Sequence, residues 1–203
     1  DRVSVPHREL WQGTVYPKSE AEAWFISGSA AYWRMLRALP DATDEEDDAF
    51  AKGVGVLGDE LAELATRYAY TVSRESDLVP LETTRAYDRY GPYRIPRTKG
   101  TLALHQLRLA LGNKTFLAAM RAVHDRYAGS EVDTDEIITT LSEVAGEDVS
   151  GLLRPWLETK GATDLQPRVA VTPLKSGRAR LELTAENSSP HSKLGCVLAI
   201  EYG

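Results

Sequence analysis

Apolar residues recur at helical spacing through most of the chain and switch to strict alternation near its end. From about Ser19 to Leu39 the stripe holds Trp24, Phe25, Ala31, Met35 and Leu36. Glu20 and Glu22 stand in the first turn, where carboxylates complement the helix dipole, and Leu39-Pro40-Asp41 closes the segment. Thr43-Asp44-Glu45-Glu46 is a capping-box pattern, followed at helical spacing by Phe50, Val54, Leu57, Leu61, Leu64 and Tyr68. From Ser73 to Pro96 there is no clean period. Pro80, Gly91, Pro92 and the tyrosines Tyr87, Tyr90 and Tyr93 predict a loop region with at most one short helix.

Three well-signalled helices follow. One runs from about Lys99 to Leu111 and ends at Gly112. Asn113 caps a second, which carries Phe116, Leu117, Met120 and Val123 and stops at Gly129. Asp133-Thr134-Asp135-Glu136 is a further capping box, ahead of Ile137, Ile138, Leu141 and Val144. Asp148 is placed to cap a last short helix with Leu152, Leu153, Trp156 and Leu157, closed by Gly161. Pro155 is expected to bend or shorten it.

After Asp164 the period becomes two. Val169 and Val171, then Leu181 and Leu183, flank the turn Lys175-Ser176-Gly177 and predict a hairpin; Val197 to Ile200 reads as another strand. So short a segment is small for an independent all-β domain, so the strands are expected to pack on the helices or to belong to a longer parent. The predicted fold class is mainly α: a multi-helix array over residues 1–163, then a small antiparallel β segment over 164–203, the start of a β-sandwich-like unit.

Composition narrows the function. Hydrophobic residues are 42% and charged residues 27%, which suffices for a core. Twenty-four basic side chains against 30 acidic ones give −6, which argues against a general affinity for nucleic acid or anionic membrane. No apolar run approaches the roughly 18 residues of a membrane span. A lone cysteine, Cys196, excludes an internal disulfide framework and a multi-cysteine zinc module, and in its strand-like run it reads as an inert thiol. The compartment stays open, and a leader removed before Asp1 is compatible with the sequence.

Most single motifs have a plain structural explanation. Gly53, Gly55 and Gly58 imitate a dinucleotide fingerprint, but no strand precedes them, so close helix packing is the better reading. The histidines are His7, His105, His124 and His191, with no pair at the i, i+4 spacing of a zinc helix. His7 and Glu9 offer an imidazole and a carboxylate without a third ligand nearby. His105 and His124 fall on helices and read as packed or half-exposed side chains. Ser27-Gly28-Ser29 lies inside a helical pattern, not on the strand-to-helix turn of a nucleophile elbow. Asp44 to Asp48 is a helix start, not a calcium loop. A spatial pair of glycosidase-type carboxylates stays open.

The stretch Ile95-Pro96-Arg97-Thr98-Lys99-Gly100-Thr101-Leu102-Ala103-Leu104-His105-Gln106-Leu107-Arg108 resembles a segment of the M1 aminopeptidase family. There the pattern is Pro-Tyr-Glu-Lys-Gly-Ala, then a helix ending in Leu-x-x-Leu-Arg. The likeness continues through Leu111-Gly112-Asn113-Lys114-Thr115-Phe116, the capping box at Asp133, and Leu152 to Leu157, then Gly161 and Leu165. Gly13 to Lys18 and Trp24 to Ala30 resemble the stretch between the family's zinc helix and its third-ligand helix. The resemblance implies the helical half of a gluzincin peptidase, ending before a β-domain.

The departures fall on the chemistry. Anchored on Trp11 and Gly13, the family's His-Glu-x-x-His lands on Val5-Pro6-His7-Arg8-Glu9, where both histidines and the glutamate base are missing from register. The third ligand, a glutamate before a glycine, lands on Ser27 before Gly28. The tyrosine that stabilises the tetrahedral intermediate lands on or near Arg97, in a register fixed by Lys99-Gly100. The Gly-x-Met-x-Asn segment would lie upstream of Asp1. The resemblance therefore implies cleft candidates His7, Glu9, Ser27 and Arg97, no metal ligand set and no cofactor in this chain, although zinc is expected in an active member. The expected role is a non-catalytic relative that serves in recognition, scaffolding or regulation. The alternatives are a fragment of a zinc aminopeptidase whose ligands lie outside this chain, and an enzyme with repurposed cleft chemistry. A peptide or protein partner, or a missing upstream domain, is expected to cover an apolar or groove-like face near Trp11 and Trp24. Arg97 is expected to pair with a carboxylate such as Glu9, to hold an anionic ligand, or to stand solvated in a loop.

Overall fold

The computed structural model describes residues 14–37, 46–161, 165–173 and 179–187. Ser19 caps a 3-10 turn, Glu20–Glu22, by accepting the Ala21 N–H at 3.1 Å. The Glu22 carboxylate reaches back to receive the Ser19 N–H at 2.8 Å, which completes a capping box and feeds the chain into α1, Ala23–Arg37. Helix α2, Glu46–Arg74, runs without a break through Gly53, Gly55 and Gly58, so no phosphate loop forms there. Gly58 faces open space, so close packing does not explain that glycine. Helix α3 spans Tyr90–Tyr127 and is kinked at Gly112, whose φ of 74° and ψ of 163° leave the helical region, where the sequence implied one helix ending and another starting at Asn113. Helices α4, Thr134–Ala145, and α5, Ser150–Leu157, complete the α-helices among the described residues.

The region expected to be a loop is partly helical. Helix α2 continues to Arg74, and only residues 75–89 are irregular, around a 3-10 turn at Pro80–Glu82. Helix α3 starts nine residues before Lys99, at Tyr90. Pro92 sits in its first turn, where a missing N–H removes no helical bond, so the Gly91-Pro92 pair opens the helix instead of barring it. Pro96 lies inside the helix and removes one i to i−4 bond, which tertiary burial at 0% exposure of Ile95 outweighs.

The capping box at Asp133 reads as expected. Asp133 accepts the Glu136 N–H at 2.9 Å and Glu136 returns the bond to the Asp133 N–H at 2.9 Å. Gly146, with φ 74°, ends α4. Asp148 receives the Ser150 N–H at 2.9 Å, but the N-cap position is Val149, and α5 passes Pro155 only to end at Leu157, short of the expected stop at Gly161. A short parallel bridge joins β1, Tyr16–Pro17, to β2, Glu131–Val132. The predicted hairpin is antiparallel: β3, Leu165–Pro173, pairs with β4, Ala179–Asn187, with Val169 opposite Leu183 and Val171 opposite Leu181. Its described side chains are all exposed, Val171 at 59%, so the expected packing of these strands on the helices is not seen among them. The expectations at Trp11, Thr43, Cys196, His191 and Val197 to Ile200 lie outside the described residues.

Each of the other four helices packs on α3. The core between them centres on Trp24, Phe25, Tyr32, Leu104, Leu107 and Ile137. Trp24 is fully buried, and its indole N–H donates to the Thr134 hydroxyl at 2.9 Å. It therefore lines no open face, against expectation, because α4 covers it. Helices α1 and α3 meet backbone to backbone: a Cβ built on Gly100 would lie 1.9 Å from the Trp24 carbonyl oxygen, and one on Gly28 would lie 2.9 Å from the Gly100 carbonyl carbon. Thr101 spans the same contact with a hydroxyl bond of 3.2 Å to the Gly28 carbonyl.

This contact sets a mutational contrast. Gly100→Ala must push α1 and α3 apart and should destabilise the chain by about 3 kcal/mol or more. Gly58→Ala meets nothing and should stabilise it by roughly 0.5–1 kcal/mol through helix propensity. Urea unfolding of both variants measures the difference; equal effects at the two sites would contradict the packing.

Candidate functional site

Ser27 and Arg97 stand on the two helices that the glycine contact brings together. Ser27 is buried at 7% exposure, one residue before Gly28 on α1. Tyr87, from the irregular segment, brings its hydroxyl beside Ser27 and its ring to 6.5 Å from that of Tyr93. The Glu20 carboxylate, which accepts the Ala86 N–H at 2.6 Å, ties that segment to the start of α1.

Arg97 is half-buried in the second turn of α3, three residues before Gly100, so it is not the solvated loop arginine considered above. Its guanidinium lies 5.8 Å from the centre of the Tyr93 ring. Burial lowers its pKa from the ordinary value; Tyr93 opposes this, and the smaller effects of the positive charges of Arg34, Arg94 and Arg67 push in the same direction as burial. All four guanidinia line one open cavity of about 320 Å³ between α1, α2 and the start of α3. Ala31, Met35 and Leu64 form its apolar part, and Glu60 and Glu63 add two carboxylates. Ser27 does not line it; Ala31, one turn further along α1, does.

Sequence reasoning identified Arg97 but missed Arg34, Arg67 and Arg94. Arg94 and Arg97 have the i, i+3 spacing of one helix face, a signal hidden because their segment lacks a clean apolar period. His7 and Glu9 lie outside the described residues, as would any pairing of Arg97 with Glu9. Among the described residues, no three His, Cys, Asp or Glu side chains converge on one point. The groups at the two resemblance positions are a hydroxyl and a guanidinium, and a guanidinium carries a fixed positive charge with no acceptor to offer.

Behind Arg97, Lys99 is buried at 1% exposure and donates from its ammonium to the Thr159 carbonyl. Burial pulls its pKa down to about 8, with the Asp77 carboxylate opposing. Asp77 also accepts the Tyr68 hydroxyl at 2.9 Å and the Gly161 N–H at 2.5 Å, so this node joins α2, α3 and the end of α5. His105 is a packed histidine: its Nδ1 is 3.0 Å from the Tyr32 hydroxyl. Burial and the neighbouring Arg108 hold it down to about 4, while burial pushes Tyr32 up to about 12.

Comparison with known proteins agrees with this architecture. No family model matches the chain. Over 97 residues, 48% of this chain, it is 31% identical to "Aminopeptidase M1-A" of Oryza sativa subsp. japonica. Over 63 residues it is 32% identical to "Aminopeptidase N" of Lactococcus lactis subsp. lactis. These matches cover 10% and 7% of the relatives' lengths. The M1 zinc metallopeptidase from Deinococcus radiodurans has a similar fold, with TM-score 0.55 and 22% identity, covering 77% of this chain and 31% of that one. A mutant of it bound to a Tyr-Ser-Ala substrate gives TM-score 0.56 at 21% identity over 77% of this chain and 32% of that one. The chain thus has an M1 aminopeptidase-like, mainly helical gluzincin fold, and it spans about a third of the solved chains it matches.

The buried lysine makes a pH prediction. The folded pKa of about 8 lies below the ordinary 10.5, so between these values the unfolded chain binds more protons. Stability should therefore rise with pH from about 8 to 10.5, by about 3 kcal/mol at most. Lys99→Met should remove that rise. The difference between the urea midpoints of the two proteins, followed from pH 7.5 to 10, reads it directly; a constant difference would mean that Lys99 is not buried as a charge.

Proposed function

We propose that this chain is a non-catalytic M1 aminopeptidase-like module that acts in recognition, scaffolding or regulation. The observation that supports the reading is Arg97. The resemblance puts it at or near the oxyanion-stabilising tyrosine, and its cavity holds three further arginines against two glutamates, Glu60 and Glu63. Ser27 stands where the resemblance implies a carboxylate ligand, and its neutral hydroxyl beside Tyr87 is a poor replacement. A peptidase of this class needs a metal to polarise the carbonyl and activate water, and a carboxylate to move protons. Among the described residues, no three His, Cys, Asp or Glu side chains converge to meet that requirement. The proposed division is a helical peptidase-like unit over residues 1–163 and the beginning of a β-sandwich-like unit from 164.

A second reading has its own support. The chain covers a tenth or less of the aminopeptidases to which it is similar, so a zinc-dependent enzyme with ligands on another segment is the alternative. A third, repurposed cleft chemistry, would use Arg97 and its neighbouring tyrosines.

Elemental analysis after dialysis, with an aminoacyl-anilide hydrolysis assay on the natural full-length protein, separates these readings. The module reading expects no stoichiometric zinc and no hydrolysis, and Ser27→Glu alone should restore neither. One tightly held zinc per chain, lost on mutation of His7 and Glu9, would reverse it. Zinc retained without these two residues, together with hydrolysis, would favour the second reading.

A further inference from the structure

We propose that the cavity lined by Arg34, Arg67, Arg94 and Arg97 is a carboxylate-binding site for a peptide ligand, with Arg34 and Arg97 as its principal anchors.

The charge balance points to an anion. Four arginines line the cavity against Glu60 and Glu63, an excess of two positive charges on a chain whose net charge is −6. Glu63 is already paired with Arg67 one turn along α2. Arg94 lies over the Tyr90 ring at 4.8 Å and Arg97 over Tyr93 at 5.8 Å. Among the described residues, neither of these two nor Arg34 forms an ion pair. Three guanidinia therefore share one cavity with the single unengaged carboxylate of Glu60. Like charges at such a site repel, and a bound anion relieves that repulsion while accepting paired hydrogen bonds from the planar forks.

The shape points to a carboxylate on an organic ligand. The volume, about 320 Å³, falls at the lower end of the range for small-ligand sites. Ala31, Met35 and Leu64 supply an apolar wall that an inorganic anion would not use. Carbon skeleton against that wall, with two oxygens toward the arginines, is the arrangement of a peptide's C-terminal residue or of an acidic side chain. The ring faces of Tyr90 and Tyr93 lie against the Arg94 and Arg97 guanidinia, which lessens the ordering that binding would require.

The proposal deepens the recognition reading and rests on it only in that a ligand enters the cleft; a carboxylate-dependent signal is read independently of zinc and hydrolysis. The test is a chemical-shift titration of the full chain with three peptides: acetyl-Ala-Ala-Phe as the free acid, the same peptide as its amide, and acetyl-Ala-Glu-Phe-amide. Shifts at the arginine side chains with the free acid assign a C-terminal carboxylate; shifts with the glutamyl amide assign an acidic side chain; either supports the site. Binding should weaken with added salt. Arg97→Gln and Arg34→Gln should each weaken it about tenfold, the loss of one charge-assisted contact. Arg34 is exposed, so its variant keeps the test intact if Arg97→Gln fails to fold. Equal binding of acid and neutral amide, no binding of either carboxylate peptide at millimolar concentration, unchanged affinity in the folded variants, or inorganic phosphate binding where both peptides fail would overturn the proposal.

Discussion

The architecture depends on a contact with no side chains in it. Where α1 crosses α3, Gly28 and Gly100 let the two backbones touch, with the Trp24 carbonyl occupying the space a Gly100 Cβ would need. A close crossing places the flanking residues of both helices within reach of one another. It lets Thr101 bond the Gly28 carbonyl and carries Trp24 deep enough for its indole N–H to meet Thr134 on α4. The Thr134 hydroxyl in turn approaches the Glu22 carboxylate at 3.5 Å, which also closes the capping box at the start of α1. Packing, helix entry and polar satisfaction are thus linked through one crossing. Larger residues there would have to undo several at once.

The same crossing controls the electrostatics. Lys99, adjacent to Gly100, is turned inward and satisfied by the Thr159 carbonyl near Asp77. Arg97, a little more than half a turn earlier, is turned toward the cavity shared with α1 and α2. Two cations two residues apart therefore meet different environments. Lys99 has a carbonyl and a nearby carboxylate, and its pKa falls to about 8 because burial outweighs the pull of Asp77. Arg97 has a ring face and three neighbouring positive charges. An inward lysine of this kind joins elements together, whereas the arginine group leaves an unbalanced field at an open surface.

Most of the helical framework was legible in the sequence because its signals are local. Ser19 with Glu22 and Asp133 with Glu136 announce helix starts through bonds formed within three residues. Gly129 and Gly146 mark helix ends and Gly112 a kink through positive φ, and alternation at Val169, Val171, Leu181 and Leu183 matches the hairpin pairing. What failed was tertiary. Pro92 and Pro96 looked like breakers, yet the helix from Tyr90 survives because Ile95 and Thr98 to Thr101 are buried against its neighbours. That misreading concealed the spacing of Arg94 and Arg97. The arginine cavity also takes Arg34 and Arg67 from helices far away in sequence, and no local pattern brings those together.

Framework and chemistry can change separately in such a fold, because they are carried by different atoms. The close approach uses backbone at Gly28 and Gly100, and the internal tie uses the buried end of Lys99; neither requires a metal or a nucleophile. The positions beside them, Ser27 and Arg97, point to other surroundings and bear little of the packing load: a small hydroxyl next to Tyr87 and a half-buried guanidinium facing a cavity. A carboxylate at one and a phenol at the other would meet the same helix geometry. What would differ is the sign of the field. With arginines on α1, α2 and α3 converging on two glutamates, the charge lining the cavity is net positive.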